Sequence, residues 1–352
     1  MAGGTGGHIF PGLALAEALR ENGWRVHWLG GRSTTGRPSM ESRLVPARGF
    51  AIDFIDFSGV RGKSLESLLL LPLRLLRAFW QSLRLMRRIR PDVVVGLGGY
   101  IAFPGGMMSV LLGRPLVIHE QNAVAGTVNR LLALIADRVF TAFPEVLRKG
   151  QWVGNPLRQA FLLQKSPAER FAGREGPLKL LVVGGSLGAQ VLNQVVPQAL
   201  GLLHPSQRPE VRHQSGAEQL DQAQANYAAA GVLAELLPFI DDMASALADA
   251  DLIICRAGAS TVTEIAAVGA AAVFVPLPSA VDDHQNANAR YLVDAGAAWL
   301  LPQRELAPNS LAELLLGLGD RAQLLARASA ARQLARSGAT QAMRDACEEL
   351  AA

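Results

Sequence analysis

The chain has 352 residues, half of them apolar, and a formal net charge of +4. This is ample material for buried cores; at roughly 150 residues per domain it predicts two domains and excludes disorder and collagen-like or disulfide-stapled scaffolds. The two cysteines, Cys255 and Cys347, lie too far apart in sequence to build a disulfide framework or a cysteine-based zinc site, and they fit a reducing cytoplasm.

The chain opens on MAGGTGGH, with neither a basic leader nor a long apolar core, so no export signal is expected. Gly3 to Gly7 lead into the helical stretch ALAEALRENG. Successive glycines let backbone N–H groups approach an anion, and a helix N-terminus beside them adds a favourable dipole. A plain tight turn needs the same residues. His8, at the mouth of this loop, could take a proton from a hydroxyl near neutral pH or only hydrogen-bond its own loop; His119 and His284 carry the same ambiguity.

The charge is uneven: 19 Lys+Arg against 10 Asp+Glu up to residue 150 give +9, and the remainder carries −5. The basic excess is concentrated in Arg61, Lys63, Arg74, Arg77, Arg84, Arg87, Arg88 and Arg90, opposed by Glu66. Over residues 65–90 the arginines recur at helical spacing, with Leu73, Leu76, Trp80 and Leu83 on another face and Pro72 marking a helix start or kink. Such a helix could lie in an anionic membrane interface, or be an ordinary packed helix with a solvated cationic face. Confinement of the charge to one segment argues against nucleic acid. Residues 93–113 carry no charge, but six glycines and Pro104 read as strand, loop and helix start rather than a membrane span.

Apolar runs at 93–96, 115–120, 179–185, 252–255 and 271–276 alternate with helical stretches, as parallel strands covered on both faces do; the pattern is α/β and doubly wound. Gly184 to Gly188 repeat the Gly-Gly-[Thr/Ser]-x-Gly form of the first loop and also lead into a helix. The expected hinge is VGNPLR, 153–158, and helices are expected at 321–335 and 339–352. No G-x-G-x-x-G is present, and the P-loop tail Gly62-Lys63-Ser64 lacks its first glycine, whose place falls on Phe57.

In RAGASTVTE, the Thr261–Glu264 spacing suits a capping box, but the N–H groups of Ser260, Thr261 and Val262 could equally cradle a diphosphate with Glu264 on a ribose. Asp249-Ala250-Asp251 resembles a metal-gripping D-x-D but precedes its strand, where a loop role is expected. Asp282-Asp283-His284 has no second ligand cluster to join it, so no protein-bound metal is expected.

Taken together, AGGTGGHIFPGLALAEAL, GLGGYIAFPGG, HEQNAVAGTVNR, VGNPLR, VVGGSLGAQVLNQ, FIDDMA, CRAGASTVTEIAAVG and DDHQNANA resemble, almost end to end, the MurG family of bacterial peptidoglycan glycosyltransferases. The resemblance implies a GT-B architecture: two Rossmann-like doubly wound parallel-sheet domains facing across a cleft, an N-terminal acceptor and membrane-side domain over 1–157, a UDP-sugar domain over 158–335, and a last helix, 336–352, returning to the first domain. It implies inverting transfer of N-acetylglucosamine from UDP-N-acetylglucosamine to the 4-hydroxyl of the muramyl sugar of undecaprenyl-linked lipid I, giving lipid II, without a cofactor.

By the same resemblance, His8 is the general base. Thr5, Gly6, Gly7, Asn122, Arg158 and Ser186 bind the sugar donor, Ile240 with Phe239 meets the uracil, the run Ala259, Ser260, Thr261, Val262, Thr263 and Glu264 meets ribose and diphosphate, and Gln285 contacts the donor sugar. A lipid-linked acceptor would place the enzyme peripherally on the cytoplasmic face of the inner membrane, through residues 65–90, among proteins of cell-wall synthesis. A UDP-N-acetylglucosamine 2-epimerase shares the architecture but gives no reason for the amphipathic segment; an inactive sugar-nucleotide scaffold would bind without turnover.

Two features depart from the family pattern. Only Met1-Ala2 precede Gly3 where members lead in with a strand, so a truncated or misassigned start is expected, with a loosened His8 loop and a higher melting temperature once about seven apolar residues are restored upstream. The connection 30–46 also looks longer than usual.

Overall fold

The computed structural model describes residues 1–32, 39–57, 70–318 and 320–352. Arg61, Lys63 and Glu66, the tail Gly62-Lys63-Ser64 and residues 33–38 of the long connection lie outside them. The chain divides into two compact units, Met1–Arg158 with Ser337–Ala352, and Gln159–Arg336.

In the first unit the strands are β1 (His27–Gly31), β2 (Ala51–Ile55), β3 (Val94–Gly96), β4 (Leu116–Glu120), β5 (Arg138–Thr141) and β6 (Gln151–Trp152). All pair in parallel, but in two pieces, β1 with β2 and the run β3-β4-β5-β6. Met1-Ala2 lie between the pieces. The Met1 ammonium donates to the Val95 carbonyl at 2.7 Å, the Leu97 N–H donates to the Met1 carbonyl at 3.0 Å, and the Trp28 indole donates to the Ala2 carbonyl at 2.8 Å. A cavity of about 940 Å3 continues from Met1 between residues 24–29 and 91–95. The last helix, Ala339–Ala351, buries Ala339, Met343 and Cys347 in the same core as Leu15, Ala16 and Leu19 of the first helix, Gly6–Glu21.

The helix Leu71–Ile89 has Pro72 in its first turn, where the missing N–H costs nothing. It buries the small face Ala78 and Ser82 with Met86, while Leu73, Leu76 and Trp80 are each more than half exposed. The apolar stripe is thus the outward face, contrary to an ordinary packed helix with only its cations in water. Among the described residues no helix is long and apolar enough to cross a membrane. The uncharged stretch 93–113 resolves into β3, a glycine loop and the helix Ala102–Leu111.

The second unit has one six-stranded parallel sheet of β7 (Lys179–Val183), β8 (Glu210–Gln214), β9 (Glu235–Leu237), β10 (Leu252–Cys255), β11 (Ala272–Phe274) and β12 (Trp299–Leu300), in the order β12-β11-β10-β7-β8-β9. The chain winds outward from β7 to one side and returns through β10 to the other, which creates a switch point at their carboxyl ends. Leu252, Ile253, Ile254 and Cys255 are fully or almost fully buried, as a central strand covered on both faces requires. At the opposite, amino end, the buried Asp251 carboxylate is bound by Arg174 at 2.5 Å and Arg321 at 3.2 Å and accepts the Lys179 N–H, while Asp249 pairs with the Lys179 ammonium. The D-x-D is therefore a structural clamp, with Asp251 committed to arginines.

Candidate active site

Each unit gathers its chemistry at the carboxyl ends of its parallel strands. In the first, Thr5 is the extended N-cap of the helix Gly6–Glu21, and its carbonyl accepts the N–H groups of His8 and Ile9 at 3.1 and 3.2 Å. The N–H groups heading this helix at Gly6 and Gly7 have no intrahelical acceptor, which is the physical basis of an anion site.

His8 is the third residue of that helix. Its Nδ1 is 2.9 Å from the Gln121 Oε1, which follows β4. The Gln121 amide nitrogen lies 3.1 Å from the His119 Nδ1 and donates to the His119 carbonyl at 3.0 Å, and the His119 Nε2 lies 2.8 Å from the Gly154 carbonyl oxygen. Both Gln121 and His119 are buried, and burial pushes the His119 pKa down to about 4. Gly98, with φ +88°, closes the other side: a Cβ there would stand 3.0 Å from His8 Cε1 and 3.1 Å from Nδ1. The ring is held against backbone that only glycine leaves open.

Next to Gln121, the buried Glu120 carboxylate accepts the Asn122 N–H, the Asn122 side-chain amide, the Gly126 N–H and the Asn129 amide, all within 3.3 Å. Asn122 is thereby tied to Glu120 within a hydrogen-bonded loop. The Arg158 guanidinium stands 5.5 Å over the Phe10 ring, which places Arg158 with the first unit rather than at the start of the second.

In the second unit the loop Gly184–Gly188 and the helix Ala259–Val268 flank the β7–β10 switch point. A Cβ on Gly188 would meet the Ser215 carbonyl at 1.8 Å, so the close approach of these loops requires glycine. Gln214 ties the parts together: its amide donates to the Gly185 carbonyl at 2.8 Å, and its oxygen accepts the Ile240 N–H at 2.9 Å. Ile240 is buried, Phe239 is half exposed, and Ser186 is exposed at the loop tip.

The helix Ala259–Val268 is capped at Gly258, so Thr261 lies within the first turn and is not the N-cap that the capping-box alternative requires. For the cradle alternative, the N–H groups at the head of the helix begin one residue earlier. The Val262 N–H is donated to the Gly258 carbonyl, leaving those of Ala259, Ser260 and Thr261 at the head of the helix. Val262 and Thr263 are buried, and the Thr263 hydroxyl donates to the Ala259 and Ser260 carbonyls. The Ser260 hydroxyl is buried with no hydrogen-bond partner among the described residues, and the Glu264 charge helps burial raise the pKa of Cys255 at the end of β10. The Gln285 Oε1 accepts the N–H groups of Ala257 and Leu277, linking the loops after β10 and β11 and leaving its amide nitrogen as the other end. Among the described residues no group of three or more His, Cys, Asp or Glu is placed to hold a metal ion.

The sequence reading singled out His8 but missed Gln121 and Glu120. The HEQN run was the available signal, since four polar residues ending a buried strand must find partners or a ligand.

Residues 1–141 match the glycosyltransferase family 28 N-terminal domain and residues 179–350 the family 28 C-terminal domain. The chain is 70% identical to the UDP-N-acetylglucosamine–N-acetylmuramyl-(pentapeptide) pyrophosphoryl-undecaprenol N-acetylglucosamine transferase of a Polaromonas species, covering 100% of this chain and 90% of the relative. It is 67% identical to the protein of the same name from Paracidovorax citrulli, over 100% and 98% of the two chains. It is also similar to the crystal structure of MurG from Acinetobacter baumannii, with TM-score 0.83, 43% identity and coverage of 99% and 98%.

Proposed function

This chain belongs to glycosyltransferase family 28, among its UDP-N-acetylglucosamine–N-acetylmuramyl-(pentapeptide) pyrophosphoryl-undecaprenol N-acetylglucosamine transferases, and from that premise we propose that it moves N-acetylglucosamine from UDP-N-acetylglucosamine to undecaprenyl-linked lipid I, forming lipid II. The reaction is a single displacement with inversion. The 4-hydroxyl oxygen of the muramyl sugar attacks the anomeric carbon, its proton passes to His8, and the carbon–oxygen bond to UDP breaks with the electron pair going to the diphosphate. The developing charge is met by backbone N–H groups at Ala259, Ser260 and Thr261 and by the glycine loop around Ser186, with no need for a metal. Glu264 reaches the ribose, Ile240 and Phe239 the uracil, and the Gln285 amide the donor sugar; Thr5, Gly6, Gly7, Asn122 and Arg158 complete the binding of the sugar donor.

The observation that carries this reading is the placement of His8, held by Gln121 at the end of β4 beside the glycine loop of the first unit. UDP release should depend on a lipid I analogue and persist with a chelator; acceptor-independent release, or its loss with chelator, would reject the displacement or its metal-free form.

The membrane part of the proposal rests on Leu73, Leu76 and Trp80 standing outward between Arg74, Arg77 and Arg84, with the Arg84 guanidinium 5.6 Å over the Trp80 ring. Apolar side chains in the headgroup boundary flanked by cations fit an anionic surface on the cytoplasmic side of the inner membrane. Combining Arg74→Glu, Arg77→Glu and Arg84→Glu should weaken binding to phosphatidylglycerol-containing vesicles at least about tenfold, at roughly 1 kcal/mol per cation, while turnover of a short-chain soluble acceptor survives. Unchanged vesicle binding would remove this helix from the interface.

A further inference from the structure

We infer that Gln121 and His119 are positioning residues that hold His8 as the Nδ1–H tautomer and so leave its lone pair on Nε2; this rests on the reading of His8 as the base. The polarity of the chain starts at the Gly154 carbonyl, which can only accept. His119 Nε2, 2.8 Å away, must therefore carry the hydrogen, and the neutral ring then presents Nδ1 as an acceptor. Gln121 spends its amide nitrogen on that Nδ1 at 3.1 Å and on the His119 carbonyl at 3.0 Å. A flipped amide would put its oxygen against two acceptors in a site where both residues are at most 1% exposed.

With the amide so fixed, Oε1 faces His8 and can only accept from Nδ1, 2.9 Å away. The ring packs closely on Gly98, where even a Cβ would stand 3.0 Å from Cε1. Nε2 is left as the nitrogen that takes the hydroxyl proton, after which the imidazolium carries hydrogens on both nitrogens. A carboxylate in this place would also stabilise that cation; the neutral amide selects a tautomer without adding charge.

The test is nitrogen-15 NMR of histidine-labelled full-length protein, read beside steady-state kinetics. The unaltered chain should show His8 with a protonated Nδ1 and an unprotonated Nε2. Gln121→Met, of similar length without polar ends, should mix the tautomers and lower kcat at least about tenfold out of the 10²–10⁴-fold that a general base supplies, with the KM for UDP-N-acetylglucosamine within about twofold. Gln121→Glu keeps an accepting oxygen toward the His8 Nδ1 but sets its second oxygen against the His119 Nδ1 and carbonyl, so one proton should be taken up between that oxygen and the His119 Nδ1 and show in the His119 signals, while His8 keeps the Nδ1–H pattern and kcat exceeds that of the Met variant. A His8 spectrum with hydrogen on Nε2, or an unchanged spectrum and kcat in Gln121→Met, overturns the inference while leaving His8 as the base. Full turnover in His8→Ala would instead overturn the base reading and this inference with it.

Discussion

His8→Ala should lower turnover at least about 100-fold while affinity for UDP-N-acetylglucosamine stays within a few-fold, because the imidazole is proposed to act on the acceptor proton and not on the nucleotide. The split between kcat and binding is the informative part. His8 belongs to the first turn of its helix, and its N–H is already satisfied by the Thr5 carbonyl, so alanine preserves the backbone that presents Gly6 and Gly7. Removing the ring deletes one hydrogen bond to Gln121 and little packing, since His8 is only partly buried. The measurement is acceptor-dependent UDP release at saturating substrates, alongside calorimetric binding of UDP-N-acetylglucosamine. An equal loss in both would assign His8 to loop structure; unchanged turnover would require another base.

The sequence was most readable where burial on both faces dictates composition. LIIC is β10 at the positions read for it, and VVVG, PLVIHE and AAVFVP each contain their strand with one to three residues trimmed from the ends. The glycine loops were visible because their geometry excludes side chains, as Gly98 and Gly188 illustrate. β1 and β2 escaped notice because HWLGG carries His27 and two glycines and AIDFI carries Asp53; β1 is buried except at His27, β2 is only partly covered, and His27 bonds Asp53 across the pair at 2.7 Å. The helix start at Gly258 was obscured by Thr261 and Glu264, whose spacing satisfied a capping pattern in the wrong register. Gln121 could not be read at all as a partner of His8, since 113 positions separate them and only the packing of the first helix beside β4 brings them together. The outward face of Leu73, Leu76 and Trp80 was equally hidden: periodicity defines two faces, and only the small Ala78 and Ser82 in the interface show which one packs.

Extending the protein upstream of Met1 by about seven alternately β-branched and apolar residues should raise its melting temperature by several degrees, the second large effect expected. The first unit's sheet is split between β1 and β3, and Met1 already makes strand-like hydrogen bonds to Val95 and Leu97 on one side of the gap. The cavity of about 940 Å3 continues along the same line, bordered by Trp28 and Leu29 on one flank and Val93 and Val95 on the other. An added strand would find backbone partners in both directions and apolar walls on both faces, a combination that stabilises by about 25 cal/mol per Å2 of apolar surface removed from water. It would also turn the Met1 ammonium, whose pKa burial pushes down to about 5, into an ordinary peptide N–H at the Val95 carbonyl. At roughly 2–4 °C per kcal/mol for a domain of 150–250 residues, a gain of only about 2 kcal/mol is measurable by calorimetry. A Gly-Ser extension of equal length separates the effects: it removes the buried charge but adds almost no apolar surface, so it should recover the smaller part of the shift. Equal melting temperatures for the unextended and apolar-extended proteins would mean that the two pieces of sheet are stable as they stand. A larger rise with the apolar extension than with the Gly-Ser one, accompanied by faster UDP release, would tie the rigidity of the Thr5–His8 loop to the added strand, because that loop is the direct continuation of Met1-Ala2 and carries the proposed base.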